Sequence, residues 1–231
     1  STPSVLGKFP KKIMPNYFSK GLNPFVFDSI RADVLYFDKT DSVLYAGNKT
    51  GLHLYKDRKK IQHRYASFNG LSFTDIDKDG QGVFIATTLG DGVFFFNKDT
   101  VLNLNEKSGL TDNMCTSLFM QNDSTVWVST LNGLNRILYN YSDGELTGIK
   151  IRNFYRNDGL PSNYINDIYI YGDSVWLATN IGLAVFNEKD LPSYSYSPKM
   201  VIEAFKANDV YRPVFSSARI NLDRNSNNIV I

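Results

Sequence analysis

Short apolar segments separated by polar turns recur along the whole chain. Near its end, apolar and polar residues alternate over residues 164–171 and turn at Gly172-Asp173. Two more alternating segments follow, Ser174–Thr179 and Gly182–Asn187, with Asn180-Ile181 between them. Period-two alternation bounded by Gly, Asn and Asp predicts antiparallel strands joined by tight turns. No segment shows the 3.6-residue period of a long helix.

The same arrangement repeats at intervals of roughly 40 to 50 residues, the period of a propeller blade. Each copy opens with a Gly-Leu pair; the pairs are Gly21-Leu22, Gly70-Leu71, Gly109-Leu110 and Gly159-Leu160. A fourth apolar segment precedes each of the last three pairs, at residues 60–65, 101–105 and 149–155. Four short antiparallel strands in each repeat predict a β-propeller blade.

One aromatic residue in the second strand of each copy precedes a glycine by six positions. These residues are Tyr45, Phe84, Trp127 and Trp176. A single blade leaves apolar faces exposed, and stacking blades around an axis buries them. We therefore expect each of these anchors to lie between neighbouring blades, where a large ring contributes about 2–3 kcal/mol by burial.

The fold predicted is all-β, with about four recognisable four-stranded blades over residues 1–195 and a partial Ig-like β segment over 196–231. The last blade lacks an obvious outer strand, and residues 11–17 resemble the fourth strands of the other copies. Either this segment closes a four-bladed ring, or the blades belong to a larger propeller. The chain starts without a signal peptide and stops inside an apolar run, so we expect a piece of a longer protein.

Composition narrows the classes of function. The 231 residues carry a net charge of +2, which gives no electrostatic reason to expect nucleic acid as a partner. The single cysteine, Cys115, lies in an apolar strand and is interpreted as a small core residue. We expect no cofactor.

Two groups of residues could hold a metal ion, and both have plainer interpretations. Asp75, Asp77 and Asp79-Gly80 resemble the opening of a calcium loop, but the twelfth position is Ala86 where an EF-hand needs glutamate. Because Asp-Gly also marks a hairpin turn, a turn is favoured over a cation site. His53 and His63 lack an evident carboxylate partner and are interpreted as exposed strand residues. We therefore expect no metal site and no catalytic residues.

The turns that follow the second strands and the loops around the Gly-Leu pairs should lie on one face of a propeller. That face carries amide side chains and one nearby cation; the candidate ligand-binding residues are Asn48, Asn132, Asn180 and Arg156. Such groups could bind a sugar through hydrogen bonds. The alternative is that Asn and Gly stand there because tight turns favour them.

Two segments carry a specific resemblance. Residues 126–134 (VWVSTLNGL) and 175–183 (VWLATNIGL) resemble the two-component regulator propeller repeat, although Tyr45 and Phe84 replace its tryptophan. Residues 198–205 and 227–231 are similar to the start of the Ig-like domain with three tyrosines that follows such propellers. In that family the two domains form the periplasmic sensor of membrane-anchored histidine kinases, many of which respond to glycans.

The resemblance implies a non-catalytic, periplasmic sensing module with a kinase further along the parent chain. Its partners would be an oligosaccharide or another small molecule and, in a homodimer, a neighbouring subunit. Two alternatives stay open, because one fold hosts many functions. One is a propeller enzyme of the lyase type, and the other is a structural propeller in an envelope or secretion assembly.

Overall fold

The computed structural model of this chain describes residues 28–62, 65–142, 145–190, 204–213 and 229–230. Strands dominate these residues, and the only helices among them are one-turn 3-10 helices. The chain divides into two compact units, Ser1–Leu191 and Pro192–Ile231. The predicted domain boundary at residue 195 lies outside the described residues.

Among its described residues, the first unit contains four antiparallel sheets, named blades A to D. Blade A comprises β1 (Val34–Asp38), β2 (Val43–Asn48), β3 (Gly51–Lys56) and β4 (Lys59–Ile61). Blade B comprises β5 (Phe73–Lys78), β6 (Phe84–Thr88), β7 (Val93–Phe96) and β8 (Val101–Leu104). Blade C comprises β9 (Cys115–Asn122), β10 (Thr125–Thr130), β11 (Gly133–Ser142) and β12 (Glu145–Phe154). Blade D comprises β13 (Ile165–Tyr171), β14 (Ser174–Thr179) and β15 (Gly182–Asn187).

The strands within each blade pair in chain order, so each blade is a simple meander. The predicted propeller architecture is confirmed, and β14 and β15 have the predicted bounds. The fourth strands differ at their ends: β12 begins at Glu145, before the predicted start, because the hairpin with β11 is longer than in the other blades. Residues 11–17 and the first Gly-Leu pair lie outside the described residues.

Successive blades pack face to face, and one hydrophobic cluster fills each boundary. We call the side of a blade that is turned towards the next blade its front face and the opposite side its back face. The boundary between blades A and B includes Tyr45, Leu52, Phe73, Phe84 and Phe96. The boundary between B and C includes Ile85, Phe95, Leu118, Val126 and Tyr139. The boundary between C and D includes Trp127, Leu134, Phe154, Ile168 and Leu177.

Three of the four predicted anchors, Tyr45, Phe84 and Trp127, lie between neighbouring blades as expected. Tyr45 and Trp127 are buried on the front faces of their blades, and Trp127 stacks on Phe154 with ring centroids 5.7 Å apart. Trp176 is also on a front face, but 39% of it is exposed, because no described residue covers that side of blade D. Its expected position between two blades is therefore not found in the described residues.

Phe84 lies on the opposite face of its blade from the other three anchors. Its ring packs against Tyr45 at 4.6 Å, so it belongs to the back face of blade B. Ile85 takes the position of Trp127. The hairpin after β6 is longer than its counterparts, and Gly92, rather than Gly90, corresponds to Gly133. Aligning Gly90 with Gly133 therefore places Phe84, instead of Ile85, at the position of Trp127. This shift of one residue assigns the aromatic side chain to the wrong face of the strand.

The glycine that opens the third strand of each complete blade sits against the chain that enters the next blade. A Cβ on Gly133 would lie 2.8 Å from the carbonyl oxygen of Phe154, and one on Gly92 would lie 2.2 Å from that of Leu104. Both residues have positive φ angles, 129° and 79°. Close approach and a left-handed backbone together require glycine at these positions.

The second unit contains, among its described residues, one antiparallel sheet of three short strands. These are β16 (Ala204–Ala207), β17 (Val210–Pro213) and β18 (Ile229–Val230), and β16 lies in the middle. A tight turn through Asn208 and Asp209, both with positive φ, joins β16 to β17. Three short strands are common to many all-β folds, so the Ig-like assignment stays a prediction.

Candidate functional site

The second-to-third strand hairpins and the connections between blades lie on one face of the molecule, as predicted. The backbone N–H of Gly133 in the hairpin of blade C donates to the carbonyl of Asn163, 2.7 Å away in the connection to blade D. In blade B the N–H groups of Gly90 and Gly92 both donate to the carbonyl of Asn113 at 3.0 Å. We call this side of the first unit the loop face.

The asparagine that follows each of the last two Gly-Leu pairs holds its connection together. The Asn113 side-chain oxygen accepts the N–H of Glu106 at 2.9 Å, and that of Asn163 accepts the N–H of Arg156 at 2.6 Å. These amides satisfy backbone donors at the start of a 3-10 turn, as capping residues do. For these two residues, the turn interpretation explains the contacts.

An open cleft of about 440 Å³ lies on the loop face where the chain passes from blade C into blade D. Its lining combines apolar walls with a few polar groups: Leu131, Arg156, Pro161, Ser162, Asn163, Tyr164, Asn180 and Ile181. Small-molecule sites are commonly concave and apolar, with a few placed hydrogen-bonding groups. This cleft has that composition, and it is built from three separate loops.

Arg156 supplies the cleft with a cation. It begins the 3-10 turn Arg156–Asp158 between β12 and β13, and its side chain is exposed. No other described side chain forms an ion pair or hydrogen bond with its guanidinium. The corresponding residue in the connection from blade B to blade C is Glu106, whose carboxylate accepts the N–H of Asn113 at 3.1 Å. The repeat itself therefore does not require an arginine here.

Ser162 and Asn180 form the opposite, hydrogen-bonding side of the cleft. The Ser162 hydroxyl donates to the Asn180 side-chain oxygen at 2.7 Å, and the amide nitrogen of this exposed residue is left as a donor for a ligand. Tyr164, 41% exposed, and Ile181, 67% exposed, add apolar surface beside them. A bound molecule would therefore meet an aromatic ring, amide and hydroxyl groups, and one positive charge.

Three of the four predicted site residues come together and one does not. Arg156 and Asn180 line the cleft, and Asn132 borders it, because its side-chain oxygen accepts from the Asn163 amide at 3.2 Å. Asn48 lies in the corresponding turn of blade A, two blades away from blade C. Its amide donates to the Arg31 carbonyl at 2.9 Å, and its oxygen accepts the N–H and hydroxyl of Thr50. Both polar atoms of this side chain have a partner in the hairpin itself or in the segment just before β1.

Sequence reasoning missed the aromatic wall of the cleft, Tyr164. Tyr164 was assigned to the first strand of blade D, but the strand begins one residue later, and the side chain stands on the loop face. A signal was available in its position directly after the Gly-Leu-Pro-Ser-Asn segment. Met114 takes the same place after Gly109, so a residue at this position belongs to the connection in both blades.

The carboxylates that were considered as a cation loop form hydrogen bonds within the fold instead. The Asp79 side chain accepts the N–H groups of Gln81 and Val83 at 2.9 and 2.8 Å, so it closes the hairpin turn between β5 and β6. Asp75 points instead towards blade C. In the described part of the chain no three His, Cys, Asp or Glu side chains converge as metal ligands would.

The histidines and the cysteine can be placed as well. His53 lies on β3 and is half-buried rather than exposed, with its ring nitrogen 3.4 Å from the Thr50 hydroxyl. His63 is outside the described residues. Cys115 is fully buried, as predicted, and burial, with a smaller effect of Asp112, raises the pKa of its thiol far above the usual range. A thiol in this state does not act as a nucleophile at neutral pH.

No protein-family model and no curated protein matches the chain. Among solved structures it is similar to the extracellular domain of a candidate hybrid two-component system from B. thetaiotaomicron, with 23% identity and a TM-score of 0.50. That match covers 67% of this chain and 23% of the neighbour, so this chain corresponds to less than a quarter of the neighbour's length.

Weaker likenesses extend to two other structures. A second extracellular domain of this kind from the same organism has 16% identity and a TM-score of 0.32. That match covers 73% of this chain and 30% of the neighbour. Virginiamycin B lyase from Staphylococcus aureus has 10% identity and a TM-score of 0.44, over 65% and 49%. The likeness with a TM-score of 0.50 shows the fold, and the resemblance predicted from the repeat is confirmed for the fold: the chain has the propeller fold seen in that extracellular domain of a hybrid two-component system.

Proposed function

We propose that this chain is a non-catalytic, extracytoplasmic ligand-binding module of a two-component sensor, and that the cleft between blades C and D is its ligand site. The observation that carries the proposal is the convergence of Arg156, Asn180 and Tyr164 from separate loops into one cleft. The Arg156 guanidinium and the Asn180 amide nitrogen have no hydrogen-bond partner among the described residues. The similar solved structure is an extracellular domain, which supports this location.

An oligosaccharide is the ligand class that suits the cleft. Its hydroxyl groups can accept from the Arg156 guanidinium and the Asn180 amide, and can pair with the Ser162 hydroxyl. The exposed face of Tyr164 offers a flat apolar surface for one side of a sugar ring. The open shape of the cleft, about 440 Å³, suits a chain of sugars that extends beyond the site.

The proposal also concerns the cellular location of this module and the longer protein to which it would belong. No helix among the described residues is long and apolar enough to cross a membrane. A periplasmic module would pass its signal to a membrane-anchored histidine kinase further along the parent chain. The scarcity of convergent acid and base groups on the loop face supports binding without turnover.

The test is a thermal-shift screen of the purified chain against neutral and acidic oligosaccharides, followed by calorimetry of any that bind. A ligand that binds only the folded state stabilises it by about 2.7 kcal/mol at a hundredfold excess over its dissociation constant. Arg156→Ala and Asn180→Ala should each weaken binding by about tenfold or more, as expected for loss of a charged or buried hydrogen bond. The bound sugar should be recovered chemically unchanged.

Lys107→Ala is the matched control, because Lys107 is an exposed cation in the equivalent 3-10 turn, Glu106–Ser108, outside the cleft. Its binding curve should coincide with that of the wild type. Equal losses in Lys107→Ala and Arg156→Ala would place the ligand elsewhere, and a sugar cleaved during the assay would identify an enzyme.

A further inference from the structure

A cross-strand row of three side chains on the second, third and fourth strands of a blade faces the next blade. In blades A and B these rows are entirely apolar; they are Tyr45, Leu54 and Ile61 in blade A and Ile85, Phe95 and Leu102 in blade B. In blade C the same positions hold Trp127, Arg136 and Arg152. Two arginines thus stand side by side where the other boundaries have hydrophobic residues.

The two arginines carry a cost that the repeat does not require. Like charges directly opposite each other on neighbouring strands destabilise a sheet. Burial against another blade adds the loss of part of their hydration. The Arg136 side chain is only 26% exposed, and Arg152 is also partly buried. Departures of this kind from the local pattern are expected at functional sites.

Aromatic rings hold both guanidinium groups in place. The Arg136 guanidinium lies 5.4 Å from the ring centroid of Trp127, and that of Arg152 lies 4.8 Å from the ring centroid of Phe154. The two rings stack on each other at 5.7 Å. A guanidinium held over a ring keeps the N–H donors of its own plane for hydrogen bonds, so the pair is pre-organised for an acceptor.

One carboxylate, that of Glu188, serves this pair of cations among the described residues. One of its oxygens lies 2.8 Å from the Arg136 guanidinium, and the other accepts the Gln121 amide at 2.6 Å. The Nε of Arg136 is buried and has no acceptor in the described part of the chain. The Arg152 guanidinium likewise has no hydrogen-bond acceptor among these residues. The boundary therefore has more donors and more positive charge than its one carboxylate satisfies.

We propose that Arg136 and Arg152 form an oxyanion-binding site at the boundary of blades C and D. A bound anion would accept hydrogen bonds from both guanidinium groups and would offset the repulsion between them. Both side chains keep some contact with solvent, so a small anionic group can reach them.

A phosphate or sulfate group is the ligand chemistry that suits this pair. A guanidinium presents its donors as a planar fork that matches two oxygens of such a group. A tetrahedral oxyanion has enough oxygens to accept from two forks at once, whereas a carboxylate has only two oxygens. Neither arginine lines the cleft on the loop face, so this inference does not rest on the proposed ligand site.

The experiment titrates the chain with inorganic phosphate and with sulfate and follows the fluorescence of Trp127. The chain has two tryptophans, and a Trp176→Phe background leaves Trp127, beneath the Arg136 guanidinium, as the reporter. A saturable change in emission is expected with each oxyanion and not with sodium chloride at equal ionic strength. Equal affinity for phosphate and glucose 6-phosphate would identify a free ion as the ligand, and tighter binding of the sugar phosphate would identify a group on a larger molecule.

Arg152→Leu tests the site without disturbing the blade, because it copies Leu102 of blade B at the same row position. This variant should bind phosphate and sulfate at least about tenfold more weakly, since one of the two charged forks is lost. Its thermal midpoint in buffer without oxyanions should equal or exceed that of the wild type, which also shows that it folds. Arg31→Leu removes one positive charge at a site that is 75% exposed in blade A and should bind as the wild type does.

Two results would overturn the proposal. Sulfate and phosphate also stabilise folded proteins without binding at a site. A change that never saturates and is the same in the wild type and in Arg152→Leu would therefore show a general salt effect. No change with either anion would show that the two arginines serve only the contact with Glu188 and the stacking on the rings.

Discussion

The hydroxyl of Ser117 in blade C lies 2.9 Å from a carboxylate oxygen of Asp75 in blade B. The same carboxylate oxygen accepts the backbone N–H of Leu118 at 3.1 Å. On its other side the Ser117 hydroxyl is 2.6 Å from the carboxylate of Asp167 in blade D. One buried hydroxyl thus connects the innermost strands of three consecutive blades, where the strands come closest together.

Replacing Ser117 should therefore weaken the contact between blades. Ser117→Ala is expected to lower the free energy of unfolding by about 1–3 kcal/mol, because the Asp75 and Asp167 carboxylates lose the buried hydroxyl whose one proton either of them can accept. Urea unfolding followed by circular dichroism measures this loss. Ser108→Ala, at an exposed position in the turn Glu106–Ser108, is the control and should unfold at the wild-type midpoint. Coincident curves for the two variants would contradict the structural role of Ser117.

The two tryptophans should differ sharply in what they contribute to stability. Trp127 is fully buried, and its indole N–H donates to Gln121 at 3.0 Å, so Trp127→Ala should cost about 3–5 kcal/mol. Trp176→Ala should cost less than about 1 kcal/mol in dilute solution, where its face meets water. Chemical denaturation of both variants at low protein concentration tests this. Similar losses would mean that the front face of blade D is covered in the single chain.

The ion pair between Asp38 and Lys78 should make stability depend on pH. Their charged atoms are 2.8 Å apart across the boundary of blades A and B, and the carboxylate is almost fully buried. Burial by itself would raise the pKa of Asp38, but hydrogen bonds from Lys78 and the Thr40 backbone outweigh it and lower that pKa. The charged carboxylate is thus the form that the folded state favours.

The sign of the pH effect follows from this shift. Because the folded-state pKa lies below the unfolded value of about 3.9, the stabilisation is present above that pH and is lost as the pH falls through the folded pKa. Asp38→Asn should be clearly less stable than wild type at pH 7, and the difference should shrink at acidic pH. Unfolding midpoints measured across this range provide the test. A constant difference would show that the charge of Asp38 is not what matters.

The hairpin between β6 and β7 of blade B allows a test of its one-residue offset relative to blade C. Gly92→Ala should lower the unfolding free energy by at least about 2 kcal/mol more than Gly90→Ala, because both residues have positive φ but only Gly92 lies against a backbone carbonyl. A Cβ on Gly90 would meet nothing within 4 Å. The two unfolding curves give the comparison directly. Equal losses of stability would contradict the assignment of Gly92, rather than Gly90, to the position of Gly133.

The sequence by itself determined the strands, the blades and their order. Alternation over β14 and β15 and the Asn and Gly residues between them are local signals, and local sterics and turn chemistry decide such elements. The burial of Cys115 could also be predicted, since an apolar strand in an all-β chain has few other places to lie. The loop face followed from blade topology alone.

Only the tertiary structure decided which surfaces and side chains are available. Trp127 and Trp176 stand in nearly identical local sequences, yet one is buried and the other is 39% exposed, because blade D covers Trp127 and no described residue covers Trp176 in the same way. Asn48 and Asn180 both lie at the hairpin between the second and third strands of their blades, but the side chain of Asn48 is hydrogen-bonded to Arg31 and Thr50, whereas Asn180 lines a cleft. Local sequence cannot encode these outcomes, since both depend on residues brought together from other blades.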